Sequence, residues 1–259
     1  MIPVERHEAI LALVAEKGIA TINELIELLG VSHMTIRRDL QKLERQGKVV
    51  TVSGGVKAAE KLSTQLSYKV KESLNEEGQR KIALLAAARI PDQSCIFLDS
   101  GLTTLAIARE IKGRDDLTII TNDFIIMFYL IENGKGKLIH TGGTVCPVSS
   151  CSVGEGAAQG IRNYLIDIAF VTTSSWNERG LSATSEDKVP IKKALPDVAK
   201  KLVLVADSTQ YGKVNTYFSL PLKHFDEVIT DKPLPDDITE ILQNHKINLI
   251  TDNAGAAAY

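Results

Sequence analysis

The residues of this 259-residue chain whose types and spacing best suit binding chemistry lie close together between Ser32 and Lys42. The stretch mixes hydroxyl, imidazole, guanidinium, amide and ammonium groups, which are the side chains that contact base edges and phosphates. Ile36, Leu40 and Leu43 recur at helical spacing and predict a buried stripe on the opposite side, with Ser32 as the helix N-cap. We therefore predict an amphipathic helix that enters the major groove of DNA. Its predicted DNA-binding residues are Ser32, His33, Thr35, Arg37, Arg38, Gln41 and Lys42.

The charge around this predicted helix is unevenly distributed. Residues 1–56 hold seven basic and seven acidic side chains, so this part of the chain is neutral overall. Residues 33–48, however, carry five basic groups against two acidic ones, a net charge of +3. Such a local basic stripe is the electrostatic footprint of a DNA-binding element. The alternative is a three-helix bundle with a polar outer face that never contacts DNA.

Two predicted helices precede this one, and a predicted strand follows it. Apolar residues recur at helical spacing over 9–16 and again over 21–29, with Gly18 closing the first helix and Thr21 capping the second. Residues 30–32 then form a tight turn that contains a glycine, which is the helix-turn-helix arrangement. Residues 48–52 are typical of a strand and residues 53–55 of a turn, and together they predict a small wing. Residues 1–56 are therefore predicted to form a winged helix-turn-helix domain.

A second set of residues whose types suit ligand binding follows the apolar run 95–98. Asp99-Ser100-Gly101-Leu102-Thr103-Thr104 combines a predicted strand end, a glycine turn and a helix that opens in hydroxyl groups. Backbone N–H groups and a helix N-terminus converge in such a loop, which makes it a site for an anion such as phosphate. The loop has neither the ending of a Walker loop nor the three spaced glycines of a dinucleotide fingerprint. Standing alone, it fits an ordinary capped helix after a tight turn equally well.

Polar residues also follow the other predicted strands of this part of the chain. They supply amide, carboxylate, ammonium and backbone groups, a set that suits a phosphorylated polyol or sugar. Taken singly, each is as well explained by solvation or by a helix cap. Together with the loop after residue 98 they form the predicted small-molecule site: Asp99, Ser100, Gly101, Leu102, Thr103, Thr104, Asn122, Asp123, Gly142, Gly143, Asp187, Lys188, Lys192 and Lys213.

Short apolar runs alternate with helical patterns throughout this second part. The runs are 95–98, 117–120, 138–140, 168–171, 202–206, 227–229 and 247–250. Continuous apolar strands separated by helices predict a mostly parallel sheet that is covered on both faces. Ligands of such sheets bind beyond the carboxyl ends of the strands. We expect an α/β domain over residues 76–252, a linker over 57–75 and a disordered tail over 253–259.

Length, charge and cysteine content set outer limits on the function. A chain of 259 residues is long enough for two domains, and its net charge of −2 adds little attraction for DNA beyond the first domain. Cys95, Cys146 and Cys151 are too few for a disulfide framework and lack metal-ligand spacing. We expect reduced thiols, no metal and no cofactor. Since the sequence shows no membrane-spanning run and no signal peptide, we also expect a cytoplasmic protein without a membrane partner.

The string Thr35-Ile36-Arg37-Arg38-Asp39-Leu40 stands at a characteristic distance from Leu29-Gly30-Val31-Ser32 before it and from Gly54-Gly55 after it. In these motifs and their spacing, the N-terminal part resembles the DNA-binding domain of the DeoR family of bacterial transcriptional regulators. The chain departs from the family just before the paired glycines. The family usually has an arginine and often a histidine there, whereas this chain has Val52 and Ser53. That departure weakens the expectation that the wing contacts phosphate or the minor groove.

The second part carries a further set of motifs: Lys81-Ile82-Ala83, the 99–104 loop, Thr121-Asn122, Gly142-Gly143, Gly180-Leu181 and Lys192. In these it resembles the sensor domain of the same family, whose fold is similar to that of ribose-5-phosphate isomerase. The chain departs from the family at three positions. Leu102 stands where the family commonly has a hydroxyl residue, Asp187-Lys188 where it has an acidic pair, and Gln210 where it has a lysine.

The resemblance implies a transcriptional regulator, and specifically a repressor of a carbohydrate or sugar-acid catabolic operon. Its expected partners are double-stranded operator DNA and a phosphorylated sugar or sugar-acid effector. Because one helix-turn-helix makes few contacts with DNA, we expect a homodimer or a higher homo-oligomer. The alternative is a sugar-phosphate isomerase or a deaminase-like enzyme, in which Asp123 or Asp187 acts as base and Lys192 as acid.

Overall fold

The chain divides into two compact units, residues 1–64 and residues 65–259. A computed structural model describes residues 3–45, 49–52, 55–58 and 75–252. Nearly all of the predicted linker 57–75 and the whole predicted tail 253–259 lie outside these described residues, as do the turn residues Ser53 and Gly54. The limits assigned to the domains therefore stay predictions.

Within its described residues, the N-terminal unit has three helices and a small antiparallel sheet. The elements in chain order are α1 (Pro3–Lys17), β1 (Ile19–Thr21), α2 (Ile22–Leu29), α3 (His33–Arg45), β2 (Val49–Val52) and β3 (Gly55–Ala58). The strand order is β1-β3-β2, and both pairs are antiparallel. Strand β1 was not predicted, because three residues between two helices are too few to show an alternating pattern.

Local sequence explains where α2 begins and ends. The Thr21 hydroxyl accepts a hydrogen bond from the Glu24 backbone N–H at 3.2 Å, and the Glu24 carboxylate accepts one from the Thr21 backbone N–H at 2.8 Å, which is a capping box. Gly30 ends the helix in the left-handed region with a φ of 62°, and its N–H donates to the Ile26 carbonyl at 2.9 Å. These two signals fix the turn that leads into α3.

The C-terminal unit is built on one seven-stranded sheet in the order β15-β14-β12-β9-β4-β5-β6, in which every neighbouring pair is parallel. The main strands are β4 (Cys95–Leu98), β5 (Thr118–Thr121), β6 (Lys137–His140), β9 (Ile166–Val171), β12 (Ala199–Val205), β14 (Glu227–Thr230) and β15 (Asn248–Thr251). The helices are α4 (Glu76–Ala87), α5 (Leu102–Ile111), α6 (Phe124–Asn133), α7 (Gly154–Ile161), α8 (Val189–Val198) and α9 (Asp236–Asn244). The predicted α/β fold with a mostly parallel sheet is confirmed.

Helices cover both faces of this sheet, which explains why its strands are almost continuously apolar. Residues of α4, α5 and α6 pack on one face in a cluster that includes Ile96 and Phe170. Residues of α7, α8 and α9 pack on the other face in a cluster that includes Phe97 and Ala169. Since adjacent residues of one strand enter different clusters, the sheet is the central layer of three.

Two smaller β-structures were not predicted. One is the hairpin of β7 (Thr144–Cys146) and β8 (Cys151–Val153), joined by a 3₁₀ turn over Pro147–Ser149. The other is an antiparallel sheet of β10 (Ser175–Asn177), β11 (Gly180–Ala183) and β13 (Tyr217–Pro221). Helix α7 ends at Ile161, and α8 gives way to β12 at Ala199. No helix of the described residues is long and apolar enough to cross a membrane.

Candidate functional site

Helix α3 separates its apolar and polar side chains as the sequence predicted. Ile36, Leu40 and Leu43 are buried in the core of the N-terminal unit. Of the seven predicted DNA-binding residues, only Thr35 is half-buried, and the other six are exposed. The Ser32 hydroxyl accepts a hydrogen bond from the Thr35 backbone N–H at 3.3 Å, so Ser32 also caps the helix.

Asp39 holds α3 against α1 instead of facing outward. Its carboxylate accepts hydrogen bonds from Arg6 Nε at 2.8 Å and from His7 Nε2 at 3.1 Å. Burial opposes ionisation of this group, but the hydrogen bonds from Arg6 and His7 outweigh it and keep the pKa of Asp39 below its usual value. The only acidic residue between Arg37 and Lys42 is therefore neutralised inside its own unit.

Arg37 and Arg38 are left available for a ligand. Both are exposed, and within the described part of the chain neither forms an ion pair with a carboxylate. Gln41 and Lys42 are exposed one turn further along the helix. The arrangement gives α3 a surface of hydrogen-bond donors on a rigid element, which suits contact with phosphates and base edges.

In the C-terminal unit, Asp99 and Lys192 form a buried ion pair at the carboxyl ends of β4 and β9. The Lys192 ammonium donates to Asp99 Oδ2 and to the Thr172 carbonyl, the latter at 2.6 Å. Asp99 also accepts from the backbone N–H groups of Ser100 at 2.9 Å and Thr172 at 3.1 Å. This network ties the loop after β4 to the end of β9 and to α8.

A small cavity of about 30 Å³ lies beside this ion pair. It brings together five of the predicted residues: Asp99, Ser100, Asn122, Lys188 and Lys192. Cys151, Val153 and Ile191 complete its lining and were not predicted. A volume of this size holds about one water molecule.

Two buried polar atoms near this cavity lack a hydrogen-bond partner among the described residues. Asn122 Nδ2 donates to the Ser152 carbonyl at 3.0 Å, which leaves Asn122 Oδ1 without a donor. The Ser152 hydroxyl is also unpartnered. Ser152 alternates along β8 with the cavity-lining Cys151 and Val153 and does not line the cavity itself, so only Asn122 Oδ1 favours a ligand that brings hydroxyl or other donor groups.

The remaining residues of the 99–104 loop shape the turn and do not line the cavity. The Thr104 hydroxyl donates to the carbonyls of Asp99 at 2.5 Å and Gly101 at 2.9 Å. A Cβ atom at Gly101 would lie 2.7 Å from Thr172 Oγ1, so only glycine allows this close approach. Thr103 is buried, and Leu102 packs against the helical core.

The structure gives Asp123 a different role from the predicted one. Its carboxylate is buried and caps α6 by accepting from the backbone N–H groups of Ile125 at 2.7 Å and Ile126 at 3.0 Å. The sequence Asn122-Asp123 before a helix is a typical capping signal. Asp123 does not line the cavity.

Four further predicted residues also lie outside the cavity lining. Gly142 and Gly143 are exposed and have positive φ angles of 70° and 107°. Asp187 lines a separate open depression of about 470 Å³ together with Tyr217 and other residues. Lys213 is exposed in the segment before β13.

His140 and the cysteines show no metal chemistry. The His140 ring stacks on Phe124 with the ring centroids 4.4 Å apart, and burial lowers the pKa of this imidazole. Cys95, Cys146 and Cys151 are free thiols, and burial raises the pKa of the Cys151 thiol. The described residues contain no cluster of side chains that could hold a metal ion.

Comparison with known proteins gives two family matches that together span most of the chain. Residues 6–62 match the DeoR-like helix-turn-helix domain, and residues 74–232 match the DeoR C-terminal sensor domain. An uncharacterised HTH-type transcriptional regulator of Escherichia coli K12 is 48% identical over 96% of this chain and 98% of its own length. The glycerol-3-phosphate regulon repressor of the same strain is 28% identical over 95% of this chain and 97% of its own length.

Among solved structures, ribose 5-phosphate isomerase A of Methanocaldococcus jannaschii is similar to this chain with a TM-score of 0.40 and 18% identity. The match covers 53% of this chain and 55% of the isomerase. This chain thus spans about half the length of that enzyme.

Proposed function

The chain belongs to the DeoR family of DNA-binding transcriptional regulators and is not an enzyme, and we propose that it is a repressor of a carbohydrate or sugar-acid catabolic operon. In this proposal a phosphorylated sugar or sugar acid binds at the Asp99–Lys192 cavity and lowers the affinity for operator DNA. The name of the glycerol-3-phosphate regulon repressor supports both the sign of regulation and a phosphorylated effector. A protein that binds operator DNA acts in the cytoplasm of a bacterium.

The observation that supports DNA binding best is the outward surface of α3. Arg37 and Arg38 are exposed, while the neighbouring Asp39 is occupied by Arg6 and His7. The positive charges of Arg37 and Arg38 are therefore available to a binding partner. Guanidinium groups form bidentate hydrogen bonds with guanine edges and with phosphates, which makes operator DNA the fitting partner.

Effector binding is supported by two polar groups at the cavity that have no partner of opposite charge or hydrogen-bond donor among the described residues. Lys192 is matched by Asp99, but Lys188 lines the cavity without a carboxylate partner among the described residues. Its ammonium group suits a phosphate or carboxylate, and the open acceptor Asn122 Oδ1 suits a ligand hydroxyl. A phosphorylated polyhydroxy compound supplies both kinds of group.

Regulation requires the effector to bind two conformations of the protein with different affinities. Because the cavity holds only about 30 Å³, an effector of several carbon atoms favours a state in which the cavity is larger. A coupling free energy of about 1–3 kcal/mol, the usual allosteric range, changes operator affinity by roughly 5- to 150-fold. This is enough to switch transcription.

Operator binding by the full chain tests the first half of the proposal. Fluorescence anisotropy with DNA fragments from upstream of the chain's own gene and neighbouring genes should identify a specific site. Arg37→Ala and Arg38→Ala should each weaken binding to that site by about 10-fold or more, since a good base contact contributes about 1–3 kcal/mol. Arg80→Ala removes an exposed guanidinium from α4 and serves as the matched control. Retention of specific binding by both α3 variants would refute the assignment.

A thermal-shift screen tests the second half. Aldose phosphates, polyol phosphates and aldonate phosphates are compared with the same compounds without phosphate, because a ligand that binds the folded form raises its Tm. We expect a rise with at least one phosphorylated compound, a loss of that rise in Lys188→Gln and no loss in Lys193→Gln, whose side chain is exposed on α8. The hit should also release the operator DNA. Failure of every phosphorylated compound to bind would overturn the proposed effector class.

A further inference from the structure

Cys146 and Cys151 stand directly opposite each other in the hairpin of β7 and β8. The register of the two strands pairs their Cα atoms. Opposite residues of an antiparallel pair direct their side chains to the same face, so both thiols leave the hairpin on the side of Val153, which lines the cavity. Both cysteines are free thiols. The hairpin therefore holds a dithiol beside the proposed effector site.

Backbone hydrogen bonds define the spacing of this pair. On the side away from β7, strand β8 is bonded to the segment that begins α6 through the Ser150 carbonyl at 2.9 Å and the Ser152 N–H at 2.7 Å. Because alternate residues of a strand direct their backbone groups to opposite sides, those of Cys151 point toward Cys146. The two cysteines are then a hydrogen-bonded pair, with a Cα separation of about 5.5 Å. Disulfides form at Cα separations of about 4.4–6.8 Å, so bonding the two sulfurs requires no change in strand pairing.

The two thiols differ in their exposure and surroundings. Cys146 is half-buried, and its thiol donates to the Ser149 hydroxyl at 3.6 Å, whereas Cys151 is only 1% exposed. Burial raises the pKa of the Cys151 thiol, while a hydrogen bond with Ser100 and the charge of Lys188 oppose that rise. A small oxidant from solvent therefore reaches Cys146 first, and Cys151 is the second thiol, with a cation nearby that favours its thiolate.

We propose that Cys146 and Cys151 form a redox-active pair that hydrogen peroxide converts into a disulfide in the wall of the Asp99–Lys192 cavity. The Cys146 thiolate attacks one peroxide oxygen, the O–O bond breaks, and the second oxygen leaves as hydroxide, which takes up a proton to give water. Cys146 is then a sulfenic acid. The Cys151 thiolate attacks its sulfur, the S–S bond forms, and the sulfenic oxygen leaves as a second water molecule. Two thiols are oxidised and one peroxide is reduced.

The disulfide changes the cavity because Cys151 is part of its lining. The Cys151 sulfur must turn from Ser100 toward Cys146, which ends its hydrogen bond with Ser100. The Cβ atoms of a hydrogen-bonded pair are about 5.5 Å apart, against about 3.8 Å in a disulfide, so the bond strains the hairpin and is readily reduced. Strained disulfides of this kind are the labile and regulatory ones. The pair thus gives the cavity an input from oxidants that is independent of any bound effector.

The test is stepwise oxidation of the full chain with hydrogen peroxide, followed by thiol counting in the unfolded chain and by mass mapping of unreduced tryptic peptides. Cys146 and Cys151 fall in one peptide, 138–162, because no lysine or arginine lies between Lys137 and Arg162. We expect loss of two of the three thiols, loss of two hydrogen atoms from this peptide, and full reversal by dithiothreitol. Cys95→Ser, at the end of β4 away from the cavity, should form the same disulfide and is the matched control.

Cys146→Ser and Cys151→Ser should each form no disulfide under the same conditions, with circular dichroism and cooperative thermal unfolding retained. Three outcomes would overturn the proposal. The first is an unchanged wild-type thiol count while glutathione in the same solution is oxidised. The second is a disulfide to Cys95 or between chains, and the third is a gain of oxygen by peptide 138–162 in place of the loss of hydrogen. None of these measurements involves DNA or an effector, so failure of the proposed function leaves their result unaffected.

Discussion

Replacing Lys192 by methionine should destabilise the C-terminal unit strongly, because it leaves the buried carboxylate of Asp99 without its cation. The side chains of Asp99 and Lys192 are only 4% and 9% exposed. Removing one partner of a buried ion pair costs about 3–5 kcal/mol. Asp99 keeps two hydrogen bonds in the variant, from the backbone N–H groups of Ser100 and Thr172. We therefore expect a loss near the lower limit, about 3 kcal/mol.

The measurement is urea unfolding followed by circular dichroism, together with thermal unfolding. For a unit of this size a loss of about 3 kcal/mol corresponds to a decrease in Tm of roughly 6–12 °C. The double variant Asp99→Asn/Lys192→Met removes both charges and should recover a large part of the loss, since a buried ion pair replaced by neutral groups is often near neutral in stability.

Lys200→Met is the matched control for this change. Lys200 also pairs with a carboxylate, that of Asp167 at 2.7 Å, but its side chain is 75% exposed. Water and salt screen such a pair, so the variant should unfold almost like the wild type. A Lys192→Met chain as stable as the Lys200→Met chain would refute the conclusion that the Asp99–Lys192 pair is buried and holds the strand ends together.

Two more predictions concern helix α3 and the turn after β4. Because the pKa of Asp39 is lowered in the folded state, its contribution to stability is present above the ordinary carboxyl pKa of about 3.9 and is lost as the pH falls through the lowered value. Acid unfolding of the N-terminal unit, followed by circular dichroism, should therefore be less steep in Asp39→Asn than in the wild type. Identical acid transitions in the two chains would contradict the hydrogen bonds assigned to Asp39. Gly101→Ala places a Cβ atom 2.7 Å from Thr172 Oγ1 and should cost about 1–3 kcal/mol in urea unfolding. Thr172→Ala should relieve part of that cost in the double variant, and strictly additive losses would show that the two side chains do not meet.

Much of the architecture follows from sequence because it depends on short-range periodicity. The stripe Ile36, Leu40 and Leu43 predicted the buried side of α3, and all three residues are buried. The apolar runs predicted all seven strands of the parallel sheet, because a strand covered on both faces must be apolar along its length. The pairing order of the strands could not be predicted in this way, since it depends on contacts between distant segments.

Only some of the predicted site residues lie together in the structure, because their positions also depend on contacts between distant segments. Residues directly after strands, such as Asp99 and Asn122, reach the cavity because parallel strands end at one edge of a sheet. Asp123, one position further, begins a helix and caps it. Cys151 and Val153 reach the cavity through a hairpin whose three-residue strands carry no recognisable alternation. Sequence alone could not indicate that this hairpin closes the site.

That hairpin forms one part of the cavity lining. Cys151 and Val153 lie on one side of β8 and line the cavity, whereas the pleat of the hairpin directs Val145 to the other side, where it is 54% exposed. The rest of the lining comes from the loops after β4 and β5, from Lys188 in the 3₁₀ turn before α8 and from Ile191 and Lys192 in α8. An effector that contacts both the hairpin and α8 therefore links segments that are distant in sequence. If its affinity differs between two arrangements of these segments, the effector selects one of them.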